Sequence, residues 1–188
     1  TLFILVFVVS YLSVISQNKT DLQSSVINEW YKLKDTDAAY ILHFPNQPVK
    51  GSDEIPTDKG TVNMSTYTLQ PDDDVNLIYM SSFTNYPNSF FPNKLKSAER
   101  QNEVLDNSVN GAVTNTKGNL ISEKNILLNG YRGKMFKISI EGGYIIEMKV
   151  VLVGIKVYLA QVIYKKENEG NINAKRFFDS LELINVKK

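Results

Sequence analysis

His43 is the only histidine in a chain of 188 residues that contains no cysteine. A catalytic triad or an imidazole metal site would have to be built on that one ring. It lies in "AYILHFP" (39–45), and no Gly-x-Ser-x-Gly nucleophile elbow occurs anywhere to accompany it. Zinc coordination needs several imidazoles or thiolates, so the sequence predicts His43 as a structural or surface histidine and no zinc motif. The missing cysteines also exclude disulfides and thiolate chemistry.

The carboxylates offer two further constellations. Asp72, Asp73 and Asp74 could present oxygens to a hard cation, but they lack the alternating spacing and distant Glu of a calcium loop. Three acids after Pro71 read more simply as a solvated hairpin tip. Glu141 and Glu147 flank Gly142-Gly143, and an acid–base pair there would need a cleft that drives their pKa values apart. Glu147 and Lys149 are predicted instead as the wetter part of one strand face. Gly130 and Gly133 in "GYRG" have no following Lys-Ser/Thr or helix, so they make no phosphate loop. A turn needing positive φ would explain both glycines. No catalytic residue, metal or organic cofactor is predicted.

The stretch "NYPNSFFPN" (85–93) is unusual because Tyr86, Phe90 and Phe91 sit among prolines and asparagines that suit neither strand nor helix. Either these rings fold back to cap a sheet, or they form an exposed patch of the kind enriched at interface hot spots. On the second reading Tyr86, Phe90 and Phe91 are candidates for binding a partner, with Tyr131 and Arg132 as a polar rim.

Several elements must position these groups. The chain is 43% hydrophobic and 22% charged, with 21 Lys plus Arg against 20 Asp plus Glu. This is an ordinary globular mix for one domain, and no net field draws it to nucleic acid or an anionic membrane. Residues 1–16, "TLFILVFVVSYLSVIS", are uncharged and apolar. As a helix they would reach about 24 Å, short of a ~30 Å hydrocarbon core. They read as an export signal cut before Gln17, with a short membrane anchor or a buried strand as the competing reading, and with upstream residues missing because neither Met nor a basic segment precedes them. Residues 17–28 are expected to be a flexible leader, and 29–188 a single domain.

Alternation predicts strands over 39–45, 49–55, 61–69, 75–83, 120–128, 134–140, 144–153 and 155–164, with turns at "PNQP", "DKG", "QPDDD", Gly142-Gly143 and Gly154. Leu95, Ala98, Leu105, Val109 and Ala112 recur at helical spacing, in a helix that Gly111 and Gly118 should fray and end. A second helix is expected in "NINAKRFFDSLEL", with an Asn N-cap and Ala174, Phe177, Phe178 and Leu181 on one face. The last two strands are apolar on both faces, so the sheet must be covered twice. Short hairpins make it antiparallel, and the class is α+β, an antiparallel sheet with helices packed on it.

The succession of Trp30, "YILHFPNQP", "LDNSVNGAVTNTKGNLISEKNILLNGYRGKMFKI", "VVLVGIKVYLAQVIY" and "AKRFFDSLEL" resembles the PsbP-like proteins. These include small exported bacterial proteins, the photosystem II extrinsic protein PsbP and a Ran-binding import factor. The similarity runs over about residues 30–184 and is most specific at "GYRGKMF" and in the last two segments. It implies an α/β/α sandwich with no catalytic residues to carry over, in proteins that act by docking on partners. A shared fold does not name the partner.

The sequence therefore predicts a non-enzymatic exported accessory protein, periplasmic or extracellular, with an unidentified protein partner and no nucleic acid. The alternative is a carrier or sensor of a small apolar ligand, which would need an enclosed cavity between helix and sheet. A hydrolase would need two acids facing across a cleft.

Overall fold

The computed structural model describes residues 29–57, 60–91 and 95–184. The predicted signal and leader, 1–28, lie outside the described residues. In chain order the elements are β1 (Tyr31–Asp35), β2 (Tyr40–Phe44), β3 (Val49–Thr57), β4 (Gly60–Leu69), β5 (Asn76–Asn85), α1 (Ala98–Thr116), β6 (Asn119–Leu128), β7 (Tyr131–Ile140), β8 (Tyr144–Val153), β9 (Lys156–Lys165), α2 (Ile172–Asp179) and β10 (Glu182–Leu183).

Seven strands form one sheet in the order β3-β4-β5-β9-β8-β7-β6, and β1-β2-β10 form a second, three-stranded sheet. Every pairing is antiparallel. The strands with two apolar faces, β8 and β9, stand inside the large sheet, and each face carries its own core. Phe136, Ile146, Met148, Val150 and Leu159 meet α1 through Val104, Leu105, Val109 and Ala112. Ile145, Val151, Tyr158, Val162 and Tyr164 meet β2 and α2 through Leu42, Phe44, Phe177 and Phe178. The expected α+β class and double covering are observed, and the small sheet shares the second face with α2.

Local chemistry fixes the helix ends. Ser97 caps α1 by accepting from the Arg100 N–H, and Lys117 closes it in the left-handed region at φ 51°. Gly111 is buried inside the helix and does not fray it. Ala98, expected on the buried stripe, is exposed at the first turn, and Leu95 precedes the helix. Gly118 is required by contact: a Cβ there would stand 2.4 Å from the Ile138 side chain. Asn171 caps α2 by accepting from the Ala174 N–H. The helix stops at Asp179, short of Leu181, which is nevertheless buried. Ser180 ends it, returning its hydroxyl to the Phe177 carbonyl and accepting from the His43 N–H at 2.9 Å.

The two glycines of "GYRG" have different causes. Gly130 has a φ of 83° in the β6–β7 turn, as expected. Gly133 lies within β7 and has no such requirement. A Cβ there would come within 2.4 Å of the Val150 carbonyl oxygen on the next strand.

Candidate docking surface

The aromatic segment after β5 does not form a surface patch. Tyr86, Phe90 and Phe91 are all buried in the core beneath α1. A 3-10 turn at Asn88–Phe90 folds the chain back on itself. Tyr86 then meets Phe90 and Phe91 at ring separations of 5.6 and 5.8 Å. Burial pushes the Tyr86 phenol up to about 12. These rings cap the sheet and cannot offer the exposed area that the partner-binding reading required.

Tyr131 does not rim them. Tyr131 packs against the opposite core, on the α2 side of the sheet. Arg132, the next residue on β7, takes the alternate face and is half-buried. The structure thus separates Tyr131 from the three rings by the thickness of the sheet.

The acidic candidates also resolve into structure. Asp72 and Asp73 are exposed, but Asp74 is half-buried and organises the turn. Its carboxylate accepts from the Asn76 backbone and side chain at 2.8 and 2.9 Å, from Tyr79 Oη at 2.8 Å, and from Asn173 Nδ2 at 3.0 Å. The expectation of a wholly solvated tip fails because α2 delivers Asn173 to it. Among the described residues no group of three or more His, Asp and Glu is placed to hold a metal. Glu141 is exposed, whereas Glu147 is buried and accepts from Tyr164 Oη at 2.7 Å.

Glu147 and Lys149 are not a wet face, since both are buried. The ammonium of Lys149 donates to the Phe178 carbonyl at the end of α2, where a cation also suits the helix dipole. Burial lowers its pKa. On the other face the buried Lys134 is paired with Asp106 of α1 and Glu123 of β6. Burial alone would lower its pKa, but the bonds and charge of those two carboxylates outweigh it and raise the value. Each buried amine therefore ties a helix to the sheet.

His43 is half-buried in β2, and its pKa is lowered by burial first and then by Lys32 and Arg176. The Glu182 carboxylate of β10 acts in the opposite sense, and among the described residues no hydrogen bond joins the ring to an acid.

A different surface emerges where α2 begins. Trp30, just before β1, sets its ring edge-on to Tyr79 at 5.9 Å. The exposed Arg176 lies over the same indole, 4.5 Å from the ring centroid. Ile172, one helical turn before Arg176 and on the same helix face, is 74% exposed. Val75 stands beside this turn at 44% exposure, held there by Asn168 Nδ2 on its carbonyl. A reciprocal amide pair fixes the arrangement: Asn76 and Asn171 exchange two bonds of 2.9 Å. The result is a rigid end of the molecule presenting Trp30, Arg176, Ile172 and Val75. Indole and guanidinium side chains are those most enriched at interface hot spots. Sequence reasoning missed this site because its parts come from three distant segments. The signal available was the sole tryptophan followed, far downstream, by a helix opening on an unburied Ile.

A groove of about 390 Å³ lies at the far end of the β3–β4 hairpin, lined by residues including Val62, Met64, Ser65, Phe83 and Pro87. No residue of α1 or α2 lines it, whereas the carrier reading required an enclosed cavity between a helix and the sheet, and buried side chains pack each helix onto the sheet. One buried acceptor on the α1 face, Gln161 Oε1, has no bonding partner among the described residues, yet its register neighbours are Met80 and Met148.

The two sheets, the covering helices and their order define a PsbP-like α+β fold. One solved structure that shares it is cyanobacterial PsbP (CyanoP) from Synechocystis sp. PCC 6803, at a TM-score of 0.53 and 10% sequence identity, over 87% of this chain and 98% of that one. At this identity the likeness concerns the fold. No family model matches the chain, and no curated protein matches it.

Proposed function

We propose that this chain is a non-enzymatic accessory protein, exported into a bacterial envelope, that docks on a protein partner through the α2 end of the fold. The observation that carries this reading is the Arg176-over-Trp30 stack with Ile172 and Val75 exposed beside it. Scattered apolar residues on a surface need no explanation, but here the exposed Ile172 lies one helical turn from the Arg176 that covers the only tryptophan. The patch is preorganised by the Asn76–Asn171 pair and the Asp74 bonds, so little freedom is lost when a partner settles on it.

The apolar, uncharged segment 1–16 supports export, with cleavage before Gln17. No helix among the described residues is long and apolar enough to cross a membrane. The PsbP-like fold is compatible with a docking role, and the surface carries the argument.

The test is to purify the mature protein from its native envelope, sequence its N-terminus, and compare partner capture by the parent and an Ile172→Ser, Arg176→Ser variant. An N-terminus at or near Gln17 and loss of capture in the variant support the proposal. Equal capture by both proteins contradicts the docking site.

A further inference from the structure

The two edges of the large sheet are built differently. Edge strand β3 carries Lys50, Asp53, Glu54 and Pro56, the residues that discourage another strand from adding. The opposite edge, β6, is ten residues long with no proline, and Glu123 and Lys124 are its only charges. Glu123 is already turned to Lys134. A bulge between Leu120 and Ser122 spoils the first part of this edge, leaving Ser122–Leu128 in regular register with β7. α1 packs over β7 and β8, one strand in from that edge.

The turn tells which backbone groups of β6 are open. Asn129 and Gly130, at φ 51° and 83°, make a two-residue hairpin loop. In such a loop the flanking residues, here Leu128 and Tyr131, exchange both their hydrogen bonds. Alternation then sends the N–H and C=O of Leu127, Asn125 and Glu123 outward, away from β7. Leu127 is 70% exposed on this edge.

We propose that β6 pairs antiparallel with β6 of a second copy of this chain, about a two-fold axis at Asn125, joining the two large sheets into one. A two-fold across an antiparallel edge must place some residue opposite itself, because opposed side chains share a face. With Asn125 at the axis, Glu123 faces Leu127 of the copy, so all three outward residues on each chain find partners. Centring instead on Glu123 or Lys124 would oppose like charges, which destabilises a strand pair. In the Asn125 register each charge faces a neutral residue: Glu123 meets Leu127 and Lys124 meets Ile126. This surface is separate from the Trp30 end, so the proposal stands or falls independently of the docking function.

The register makes a signed prediction. Sedimentation of the whole chain should show a dimer. Leu127→Glu, which sets a carboxylate against Glu123 of the copy at two symmetric places, should leave only monomer. Leu127→Lys, which sets an ammonium there, should keep the dimer. The absence of native cysteines allows a second readout, since residues opposed in such a pair lie about 5.5 Å apart at Cα, within disulfide range. Asn125→Cys should cross-link to itself on mild oxidation. Glu123→Cys and Leu127→Cys should each fail alone but cross-link when mixed. A monomeric parent, equal effects of Glu and Lys at 127, or equal cross-linking at all three positions would overturn the proposal. So would a monomer whose edge amides become protected by adding an unrelated extended peptide, an outcome that would assign β6 to a foreign strand.

Discussion

Arg176 rests over the indole of Trp30 with its guanidinium 4.5 Å from the ring centroid, joining the helix α2 to the segment that leads into β1. Because Arg176 is exposed, the contact is expected to contribute only about 0.5–1 kcal/mol to folding. Arg176→Ala should therefore lower the urea midpoint slightly. A loss of several kcal/mol would show that the residue belongs to the core and not to a surface available for docking.

Phe177, the next residue, faces inward. Its ring meets Phe44 and Tyr79, each at 5.1 Å, and Phe178 at 5.6 Å. It joins β2, β5 and α2 in one cluster, and truncating a buried Phe typically costs about 3–5 kcal/mol. Phe177→Ala should show that loss in urea unfolding. An unchanged midpoint would mean that α2 does not dock on the sheet as described.

Phe90 and Phe91 should behave as core residues. Because both rings are buried with Tyr86 under α1, the double change Phe90→Ser, Phe91→Ser is expected to destabilise the fold by more than about 3 kcal/mol. Denaturant unfolding measures this. A near-native midpoint would restore the exposed-patch reading of residues 85–93.

The contrast between these two aromatic clusters shows what was legible from sequence. The strand Tyr144–Val153 was legible to the residue, because the turns at Gly142-Gly143 and Gly154 bound a short, largely apolar and β-branched run. β1 and β10 were not legible. They have five and two residues, carry charges, and exist because β2 pairs with both. The helix pattern of α2 overran to Leu181 because Leu181 keeps the right spacing while Ser180 has already ended the helix. Composition identified 85–93 as irregular, but proline and asparagine say nothing about which way a ring points. The Trp30 end was hidden for a different reason: Trp30 meets Arg176, and Asn76 meets Asn171, only through tertiary packing, which no local pattern records.

His43 gives the fold a pH dependence of predictable sign. Burial, Lys32 and Arg176 lower its pKa below 6.5, so the unfolded chain binds more protons than the folded one just below that value. Stability should fall as the pH drops through 6.5 into the window beneath it, and recover above. A His43→Gln variant should lack that component of the acid-side loss. Thermal unfolding of both proteins between pH 5 and 8 checks it. Parallel curves would show that the ring is not desolvated in the folded state.

One titration tests the α2 end as a docking surface most directly. The partner captured from the native envelope is titrated against the parent and against Ile172→Ser with Arg176→Ser. Binding should weaken by more than about 1 kcal/mol, while the urea midpoint stays close to that of the parent. Undiminished affinity in a normally folded variant would contradict it.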